Sequence, residues 1–250
     1  MTVSSPGLPG EFQLLSVVVP VRDEEAAVEG VLRELDAALG GLGLELEWVF
    51  VDDASTDGTR ARLQAWLDKD PRLRILSLPE WSGQSAALDV GLRAARGDVV
   101  AILDGDGQND PADIPSLLAG LATADVVSGV RRGRRDSWSR RVSSRVANAV
   151  RRAVLRDHVT DIGCSLRVVR GHWLRRIKLY RGMHRFLPVL LAIEGARLAE
   201  RPVHHRPRAA GQSKYGLGNR LLPALFDLLA VAWMQRRAIP AQAVRDERGG

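Results

Sequence analysis

Short apolar segments rich in β-branched residues recur through the first half of the chain at intervals of about 25 to 30 residues. A stretch with helical spacing of apolar residues follows each of them, as Val28, Leu32 and Leu35 show after the first. The predicted strands are residues 14–20, 46–53, 72–78, 98–104 and 125–130. Strands and helices that alternate in this way form βαβ units, in which helices cover both faces of a parallel sheet.

Single residues predict where three of the helices begin or end. Asp57 or Thr56 can cap the second helix by accepting a hydrogen bond from its first turn, and Pro111 falls in the first turn of the fourth. Gly97 follows the third helix, where a glycine commonly ends a helix.

The regular alternation stops after Val130. We expect an Arg-rich helix over about 138–156, strands at 165–169 and 197–205, helical segments at 173–180 and 185–193, and an apolar helix at 217–237. Residues 1–13 and 238–250 are predicted to be a disordered leader and a disordered tail. Residues 14–216 would form one domain, with a nucleotide-binding half (14–130) and a half that adds a second binding surface (131–216).

The composition excludes several classes of protein. Cys164 is the single cysteine, which excludes an internal disulfide framework and fits a reducing cytoplasm. The five histidines lack the spacing that places two imidazoles on one helix face for zinc. The N-terminus has neither the basic nor the apolar region of a signal peptide. The longest apolar stretch, Leu221 to Met234, is too short to span a membrane and contains Pro223 and Asp227.

The net charge of +6 is unevenly distributed along the chain. Ten arginines and one aspartate between Arg131 and Arg156 give that segment a charge of +9, which leaves −3 for the rest. A local excess of this kind indicates an anionic partner, for which nucleic acid, a phosphorylated ligand and an anionic membrane are candidates. A solvated helix that binds nothing would carry the same pattern.

Acidic and amide side chains follow three of the predicted strands. They are Glu24 after the first, Asp52 and Asp53 at the end of the second, and Asp104, Asp106 and Gln108 after the fourth. Because ligands bind beyond the carboxyl ends of parallel strands, we expect these side chains to meet at one edge of the sheet. Carboxylates that meet there repel one another unless a cation or hydrogen-bond donors lie between them. For Asp52 and Asp53, helix capping alone is an alternative.

The residue types limit what this edge can bind. Neither G-x-G-x-x-G nor a phosphate-binding lysine motif is present, so dinucleotide and P-loop sites are excluded. Oxygen donors from Asp and Gln suit Mg²⁺ or Mn²⁺, which share their remaining positions with water and substrate phosphates. Gln108 would add a ligand without adding charge, and Gly105 and Gly107 would keep the backbone small where a diphosphate approaches. The pattern predicts a site for a nucleotide-diphosphate donor.

Four stretches of the sequence resemble motifs of one enzyme family. They are SVVVPVRDEE, VDDASTDGT, LDGDGQNDP and GQSKYG, in this order. Together they are similar to family 2 glycosyltransferases of the GT-A fold, over about residues 14–234. They most resemble the polyprenyl-phosphate glycosyltransferases, a group similar to dolichol-phosphate mannosyltransferase. The resemblance implies a Rossmann-like α/β fold, with a mostly parallel sheet, helices on both faces, and C-terminal helices on the acceptor side.

The resemblance assigns roles on the donor side by position. The donor-binding residues would be Pro20, Arg22, Glu24, Asp52, Asp53 and Asp104. Mg²⁺ or Mn²⁺ would be held by Asp106 and Gln108, together with Asp104. The stretch TDIGCSLRVVR would place Asp161 near the reacting centre, so Asp104 and Asp161 are the catalytic residues that the resemblance implies.

The resemblance also implies a site for the acceptor phosphate. Its ligands would be Arg131, Arg140, Ser144, Arg208 and Lys214, of which the last two lie on a loop expected to close over the phosphates. A phosphate monoester has a second pKa of about 6 and is mostly dianionic at neutral pH, so it needs no strong general base. It does need cations that offset repulsion from the donor diphosphate, and arginines supply them.

The expected reaction is metal-dependent, inverting transfer of a sugar from a UDP- or GDP-sugar to a polyprenyl phosphate. Its transition state has cationic character at the anomeric carbon. One alternative is an enzyme of the same fold with a soluble or glycan hydroxyl as acceptor. Another is a basic nucleic-acid-binding protein, against which the acidic clusters and the low number of aromatic residues argue.

The apolar segment 217–237 leaves two interpretations open. It could lie in the membrane interface, with Trp233 and flanking arginines among the lipid headgroups, or it could form a core or dimer helix. Relatives often continue into membrane spans here, whereas this sequence stops at Gly250. We expect a cytoplasmic protein, peripheral at the inner face of the plasma membrane. Its partners would be an anionic membrane surface and its two substrates, without nucleic acid and with homo-oligomers left open.

Overall fold

The computed structural model describes residues 12–132, 138–207 and 221–239, with the side chains of residues 138–146 and 221–222 left out. Within these residues, one seven-stranded sheet has the order β3-β2-β1-β4-β6-β5-β7. Its strands are β1 (Leu14–Val21), β2 (Glu45–Asp52), β3 (Leu73–Ser77), β4 (Val99–Ile102), β5 (Val126–Arg131), β6 (Arg167–Arg170) and β7 (Leu198–Val203). The predicted leader, tail and basic loop fall largely outside the described residues.

Helices connect the strands and cover the sheet. They are α1 (Val28–Leu39), α2 (Thr59–Leu67), α3 (Gln84–Ala94), α4 (Ile114–Gly120), α5 (Trp138–Leu155), α6 (Gly171–Leu174), α7 (Leu187–Ile193) and α8 (Leu221–Arg237). Short 3₁₀ turns at Pro111–Asp113 and Met183–Phe186 precede α4 and α7. None of the helices in the described part of the chain is both long enough and apolar enough to cross a membrane.

The predicted α/β class with a mostly parallel sheet is confirmed. Among the strands described, pairing is parallel except at β6, which runs antiparallel to both β4 and β5. The carboxyl ends of β1, β2, β4, β5 and β7 therefore share one edge. Because β6 is reversed, its first residue lies at that edge, and Arg167 pairs with Ile102 at the end of β4. We call this edge the carboxyl edge.

The apolar strands are buried on both faces, as their unbroken apolar runs predict. On one face, strand residues such as Val17 and Phe50 pack with Leu35 of α1 and Leu117 of α4. On the other face, a second cluster contains strand, α3 and α7 residues together with Leu228 and Val231 of α8. Helix α8 is therefore partly a core helix, which was one of its two interpretations.

The opposite face of α8 is exposed. Leu225, Phe226, Leu229 and Trp233 are between 48% and 70% exposed, although all are apolar or aromatic. Their spacing places them along one side of the helix, and Arg236 and Arg237 follow at its C-terminal end. The helix thus combines a buried face with an apolar face that no described residue covers.

Two local predictions need correction, and one choice between two alternatives is resolved. Helix α3 ends at Ala94 rather than at Gly97. A Cβ on Gly97 would lie 2.6 to 2.9 Å from Val99 O, Ser16 N and Leu14 O, so the glycine allows close packing against β1. The segment predicted helical over 173–180 is helical only within α6, which ends at Leu174. Of the two cap candidates for α2, Asp57 accepts from the Thr59 N–H at 2.9 Å.

A buried carboxylate connects β1, β2 and β3. Glu47 of β2 is 1% exposed and accepts hydrogen bonds from Ser16 of β1 and Arg74 of β3. Its carboxylate also accepts from the Arg96 backbone N–H at 3.1 Å and from Arg96 Nε at 2.7 Å. Burial acts to raise the pKa of Glu47, but these hydrogen bonds outweigh it and hold the pKa below its ordinary value of 4.5. Its contribution to stability is therefore present above that value and is lost as the pH falls through the folded pKa.

We predict that Glu47→Gln lowers the free energy of unfolding by roughly 1–3 kcal/mol near neutral pH, because charge-assisted hydrogen bonds are lost. Urea unfolding measures this value, and the difference from wild type should shrink as the pH falls through the lowered pKa of Glu47 in the folded protein. Glu45→Gln is the control, since Glu45 is exposed on the same strand. A Glu47→Gln protein as stable as wild type near neutral pH would contradict the prediction.

Candidate active site

A cleft of about 1030 Å³ lies beyond the ends of β1 and β4 at the carboxyl edge. Pro20 and Asp104 line it from the strand ends. Its other walls are formed by the start of α3, residues 162–167, residues 181–185 and the start of α8. Six separate parts of the chain therefore meet at the edge where the sequence predicts the donor site.

Asp52 and Asp53 are buried at the end of β2 and both accept backbone hydrogen bonds. Asp52 Oδ1 accepts from the Ser55 N–H at 3.0 Å. The Asp53 carboxylate accepts from the N–H groups of Ser82 and Gly83 at 2.8 and 2.9 Å. Asp53 therefore fixes the loop that leads into α3, which is a structural role whether or not a ligand binds nearby.

Arg22 and Trp81 form an exposed pair beside these carboxylates. The Arg22 guanidinium lies 5.1 Å from the centroid of the Trp81 ring and donates to the Asp53 carbonyl at 3.2 Å. Trp81 lines the cleft and is 60% exposed, and the sequence analysis did not single it out. An exposed ring with a guanidinium over it offers a surface for stacking a planar group.

Glu24, also predicted on the donor side, lies where α1 is approached from β1. Its N–H donates to Thr59 Oγ1 at 2.8 Å, and its carbonyl accepts from the N–H groups of Ala27 and Val28 at 3.0 Å. The backbone at Glu24 therefore links the start of α1 to the start of α2.

Asp104, Asp106 and Gln108 lie on the loop after β4, as predicted. Burial and the negative charge of Asp106 raise the pKa of Asp104, although Ser165, Arg167 and Arg131 act in the opposite direction. Asp104 Oδ1 accepts from Gln84 Nε2 at 2.7 Å, and Asp106 Oδ1 accepts from the Gln108 N–H at 3.1 Å. The charge of Asp106 thus disfavours the charged form of Asp104, and a cation would relieve that repulsion.

The residues of this loop fit a hard divalent cation. Their oxygens are the donors that Mg²⁺ and Mn²⁺ prefer, and two carboxylates with one amide leave positions for water and phosphate. Within the described residues, no three His, Cys, Asp or Glu side chains converge as a metal-binding group. Asp104, Asp106 and Gln108 therefore remain the candidate metal residues.

The two glycines of the loop act differently from each other. Gly107 has φ 73°, a left-handed conformation that glycine adopts without strain. A Cβ on Gly105 would lie 2.4 Å from Val21 Cγ1 and 3.2 Å from Pro20 O. Gly105 is therefore needed where the loop packs against β1, and its role in giving a diphosphate space stays a prediction.

The segment after β7 is hydrogen-bonded to the loop that follows β4. We call residues 204–207 the strap. His204 contacts the Asp113 carboxylate through its N–H at 2.6 Å and through Nδ1 at 2.9 Å. The Arg206 N–H donates to the Gln108 carbonyl at 2.9 Å, and Gln108 Nε2 donates to the Arg206 carbonyl at 3.3 Å. Arg206 also pairs with Glu34 of α1 at 2.8 Å.

Asp161 and Arg131 form a two-point ion pair. Arg131 Nε lies 2.7 Å from Asp161 Oδ2, and Nη2 lies 2.8 Å from Oδ1. Burial acts to lower the pKa of Arg131, but the hydrogen bonds and charge of Asp161 outweigh it, and the pKa is raised. Both oxygens of Asp161 thus face Arg131, whose guanidinium lies beside the backbone of Gly163 at the cleft wall.

Arg167, His184 and Ser85 also line the cleft, and the sequence analysis did not single them out. Ser85 Oγ and His184 Nδ1 lie 2.7 Å apart. Burial and the nearby charges of Arg185 and Arg167 lower the pKa of His184 to about 4, so its imidazole is neutral near pH 7. Arg167 falls inside the stretch TDIGCSLRVVR, but its place at the cleft depends on the reversed direction of β6.

The remaining acceptor candidates cannot be compared with the structure. The side chains of Arg140 and Ser144, on α5, and residues Arg208 and Lys214 lie outside the described residues. In the same basic segment, Arg151 is buried, pairs with Asp157 at 3.2 Å and donates to the Val159 carbonyl. Part of the +9 charge is therefore used to hold the fold together.

Comparison with known proteins adds independent findings. The model of the family described as glycosyl transferase family 2 matches residues 16–181. The chain is 36% identical over 228 residues to the dodecaprenyl-phosphate galacturonate synthase of Rhizobium johnstonii, covering 89% of this chain and 67% of the relative. It is 36% identical over 221 residues to the undecaprenyl-phosphate 4-deoxy-4-formamido-L-arabinose transferase of Aeromonas hydrophila, covering 88% and 68%.

Solved structures show the same fold. Glucosyl-3-phosphoglycerate synthase from Mycobacterium tuberculosis, solved with Mn²⁺, UDP-glucose and phosphoglyceric acid, superposes with a TM-score of 0.68 at 22% identity. That comparison covers 88% of this chain and 80% of the other. A mannosyltransferase from Pyrobaculum calidifontis, solved with GDP-mannose and Mn²⁺, gives a TM-score of 0.63 at 21% identity and covers 97% and 79%.

The family match spans most of the strands that build the cleft, and the structural neighbours are GT-A glycosyltransferases. The motif resemblance, the fold and these relatives agree with one another. The chain belongs to glycosyl transferase family 2 and is a glycosyltransferase with the GT-A fold.

Proposed function

We propose that this enzyme transfers a sugar, with inversion, from a nucleotide-diphosphate sugar to a polyprenyl phosphate. The observation that carries the proposal is the division of the carboxyl edge by charge. Carboxylates and one amide lie on the loop after β4. On the same edge, Arg131 is the last residue of β5 and Arg167 is the first residue of β6. The polyprenyl-phosphate relatives support a lipid phosphate as the acceptor.

On the donor side, the nucleoside would lie along the ends of β1 and β2, where Pro20, Asp52 and the Arg22–Trp81 pair are found. Mg²⁺ or Mn²⁺ bound by Asp104, Asp106 and Gln108 would supply positive charge that stabilises the leaving diphosphate. Gln84, which donates to Asp104 at 2.7 Å, orients that carboxylate toward the sugar side of the site.

On the acceptor side, Asp161 acts through Arg131 rather than as a base. Both of its oxygens accept hydrogen bonds from the guanidinium, so taking up a proton would weaken the ion pair with Arg131. A hydroxyl acceptor needs such a base, whereas a phosphate dianion is already nucleophilic. This difference favours the phosphate acceptor over the soluble or glycan hydroxyl.

The reaction can be tested with radiolabelled nucleotide-sugars, a polyprenyl phosphate and MnCl₂, scoring label that enters the organic phase. We expect transfer from one UDP- or GDP-sugar, and a loss of about 100-fold or more in Asp106→Asn, because a ligand for the leaving-group charge is removed. Asp68→Asn, at an exposed position after α2, is the control. Transfer to water-soluble acceptors alone, or full activity of Asp106→Asn, would contradict the proposal.

Asp161→Asn should raise the KM for the polyprenyl phosphate by about tenfold or more, because Arg131 loses its charged partner and its fixed orientation. Binding of UDP or GDP, measured by calorimetry, should change little, which a general loss of structure would not allow. Asp125→Asn is the matched control, since Asp125 forms a similar two-point pair with Arg197 elsewhere. A variant with lowered kcat and an unchanged acceptor KM would instead assign Asp161 to the chemical step.

We propose further that the exposed face of α8 binds an anionic membrane surface at the cytoplasmic side. Phe226 belongs both to this face and to the lining of the cleft, so the apolar surface is continuous with the site where a lipid acceptor would enter. Arg236 and Arg237 lie at the end of the helix, where anionic headgroups would meet them. The apolar side chains of this face would enter the acyl boundary of a bilayer, while the arginines would stay among the headgroups.

Phe226→Ser combined with Trp233→Ser should weaken co-sedimentation with phosphatidylglycerol vesicles by about tenfold or more, because two exposed apolar side chains leave the lipid. Binding should also fall as salt is raised. Leu67→Ser, at an exposed apolar position on α2, is the control. Unchanged vesicle binding by the double variant would refute the proposal, and a change in sedimentation mass without vesicles would point to a dimer face instead.

A further inference from the structure

Arg167 is a buried cation without a direct ion pair in the described part of the chain. It is 3% exposed, at the start of β6. Its Nη1 donates to the His184 carbonyl at 3.2 Å and its Nη2 to the Ile162 carbonyl at 3.0 Å. Neutral carbonyls satisfy these hydrogen bonds, and burial lowers the pKa of Arg167 although the charges of Asp104 and Asp161 act in the opposite direction. Burying an arginine in this way is costly unless an anion compensates it.

One polar atom of this side chain has no partner in the described structure. Arg167 Nε is buried and makes no hydrogen bond, and Arg167 lines the cleft. A planar guanidinium with two of its nitrogens held by protein carbonyls is fixed in orientation, and three of its five N–H groups make no hydrogen bond among the described residues. The side chain is thus prepared for an acceptor that bears negative charge.

The start of α3 lines the same cleft from another side. Its first N–H groups, at Gln84 and Ser85, precede the first possible intrahelical hydrogen bonds, so they favour anions. Gly83, which precedes them, has φ 89° and is fixed by Asp53. Ser85 Oγ and His184 Nδ1 lie 2.7 Å apart, so the His184 ring is held against the first turn of α3.

We propose that Arg167, together with the start of α3, binds a phosphate group in the cleft as part of the transfer reaction. The assignment rests on the proposed function and adds to it a phosphate ligand outside the basic segment 131–156. The phosphate could belong to the donor diphosphate or to the polyprenyl phosphate, since both present the same oxygens. Arg131 is already paired with Asp161, whereas Arg167 lacks such a partner among the described residues.

A second arginine on β6 provides an internal control for Arg167. Arg170, three residues later, lies at the opposite edge because β6 pairs Arg170 with Val99 at the start of β4. It pairs with Asp125 at 3.7 Å and donates to the Leu121 carbonyl at 2.8 Å. Arg170→Met therefore removes the same side chain from the same strand without touching the cleft.

Isothermal titration calorimetry on the full chain tests the assignment with two pairs of probes. UDP and GDP with MnCl₂ are compared with uridine and guanosine, and farnesyl phosphate is compared with farnesol. In Arg167→Met, we expect about 10- to 100-fold weaker binding of either the nucleoside diphosphate or farnesyl phosphate, because a charged hydrogen-bond donor is lost. The matching ligand without phosphate should bind as to wild type. The phosphate-bearing probe whose binding is weakened shows whether Arg167 binds the donor diphosphate or the acceptor phosphate.

Arg167→Lys keeps the charge and one carbonyl contact, so it provides a second variant if Arg167→Met does not fold by circular dichroism. We expect the same selectivity with a smaller loss, because an ammonium group cannot reproduce the guanidinium geometry. If a folded Arg167 variant binds all phosphate probes with wild-type affinity, this inference is wrong, but the proposed function is not affected. Equal weakening in Arg170→Met would also overturn the inference. A wild-type protein that binds none of the phosphate probes would remove the proposed function as well.

Discussion

The reversed direction of β6 is the constraint on which the site depends. Strands β4 and β5 are not neighbours in the sheet but run in the same direction, because the antiparallel β6 lies between them. The loop with Asp104 and the arginine that ends β5 therefore emerge at one edge. The reversal also brings the first residue of β6 to that edge, where the charges of Arg167 and Arg131 both act on Asp104.

The charged side chains at this edge fall into two groups, one in which an ion pair forms and one in which two carboxylates lie close together. Asp161 neutralises Arg131 at 2.7 Å, while Asp104 and Asp106 remain close enough that the pKa of Asp104 is raised. The proposed reaction joins two phosphorylated substrates, so its site would have to hold several negative charges close together. Cations on one wall, and carboxylates suited to a divalent cation on another, meet that requirement.

Several carboxylates of the motifs also hold loops in place. Asp53 fixes the start of α3, and Asp113 holds the strap through His204. The strap then contacts Gln108, so it supports the loop after β4. A motif residue can therefore be essential because it positions a neighbour, and loss of activity on its own does not show that it contacts a substrate.

The sequence by itself determined the α/β class, the boundaries of most strands and the acidic loop after β4, because apolar runs and polar strand ends are local patterns. It also determined the family through motif order. It did not predict Arg167, Trp81 or the Ser85–His184 pair, since those residues acquire their surroundings only when distant segments meet. The direction of β6, the exposed side of α8 and the pairing of Asp161 with Arg131 were decided by the tertiary structure. Strand direction and side-chain partners depend on contacts between residues far apart in the chain, and no local pattern encodes them.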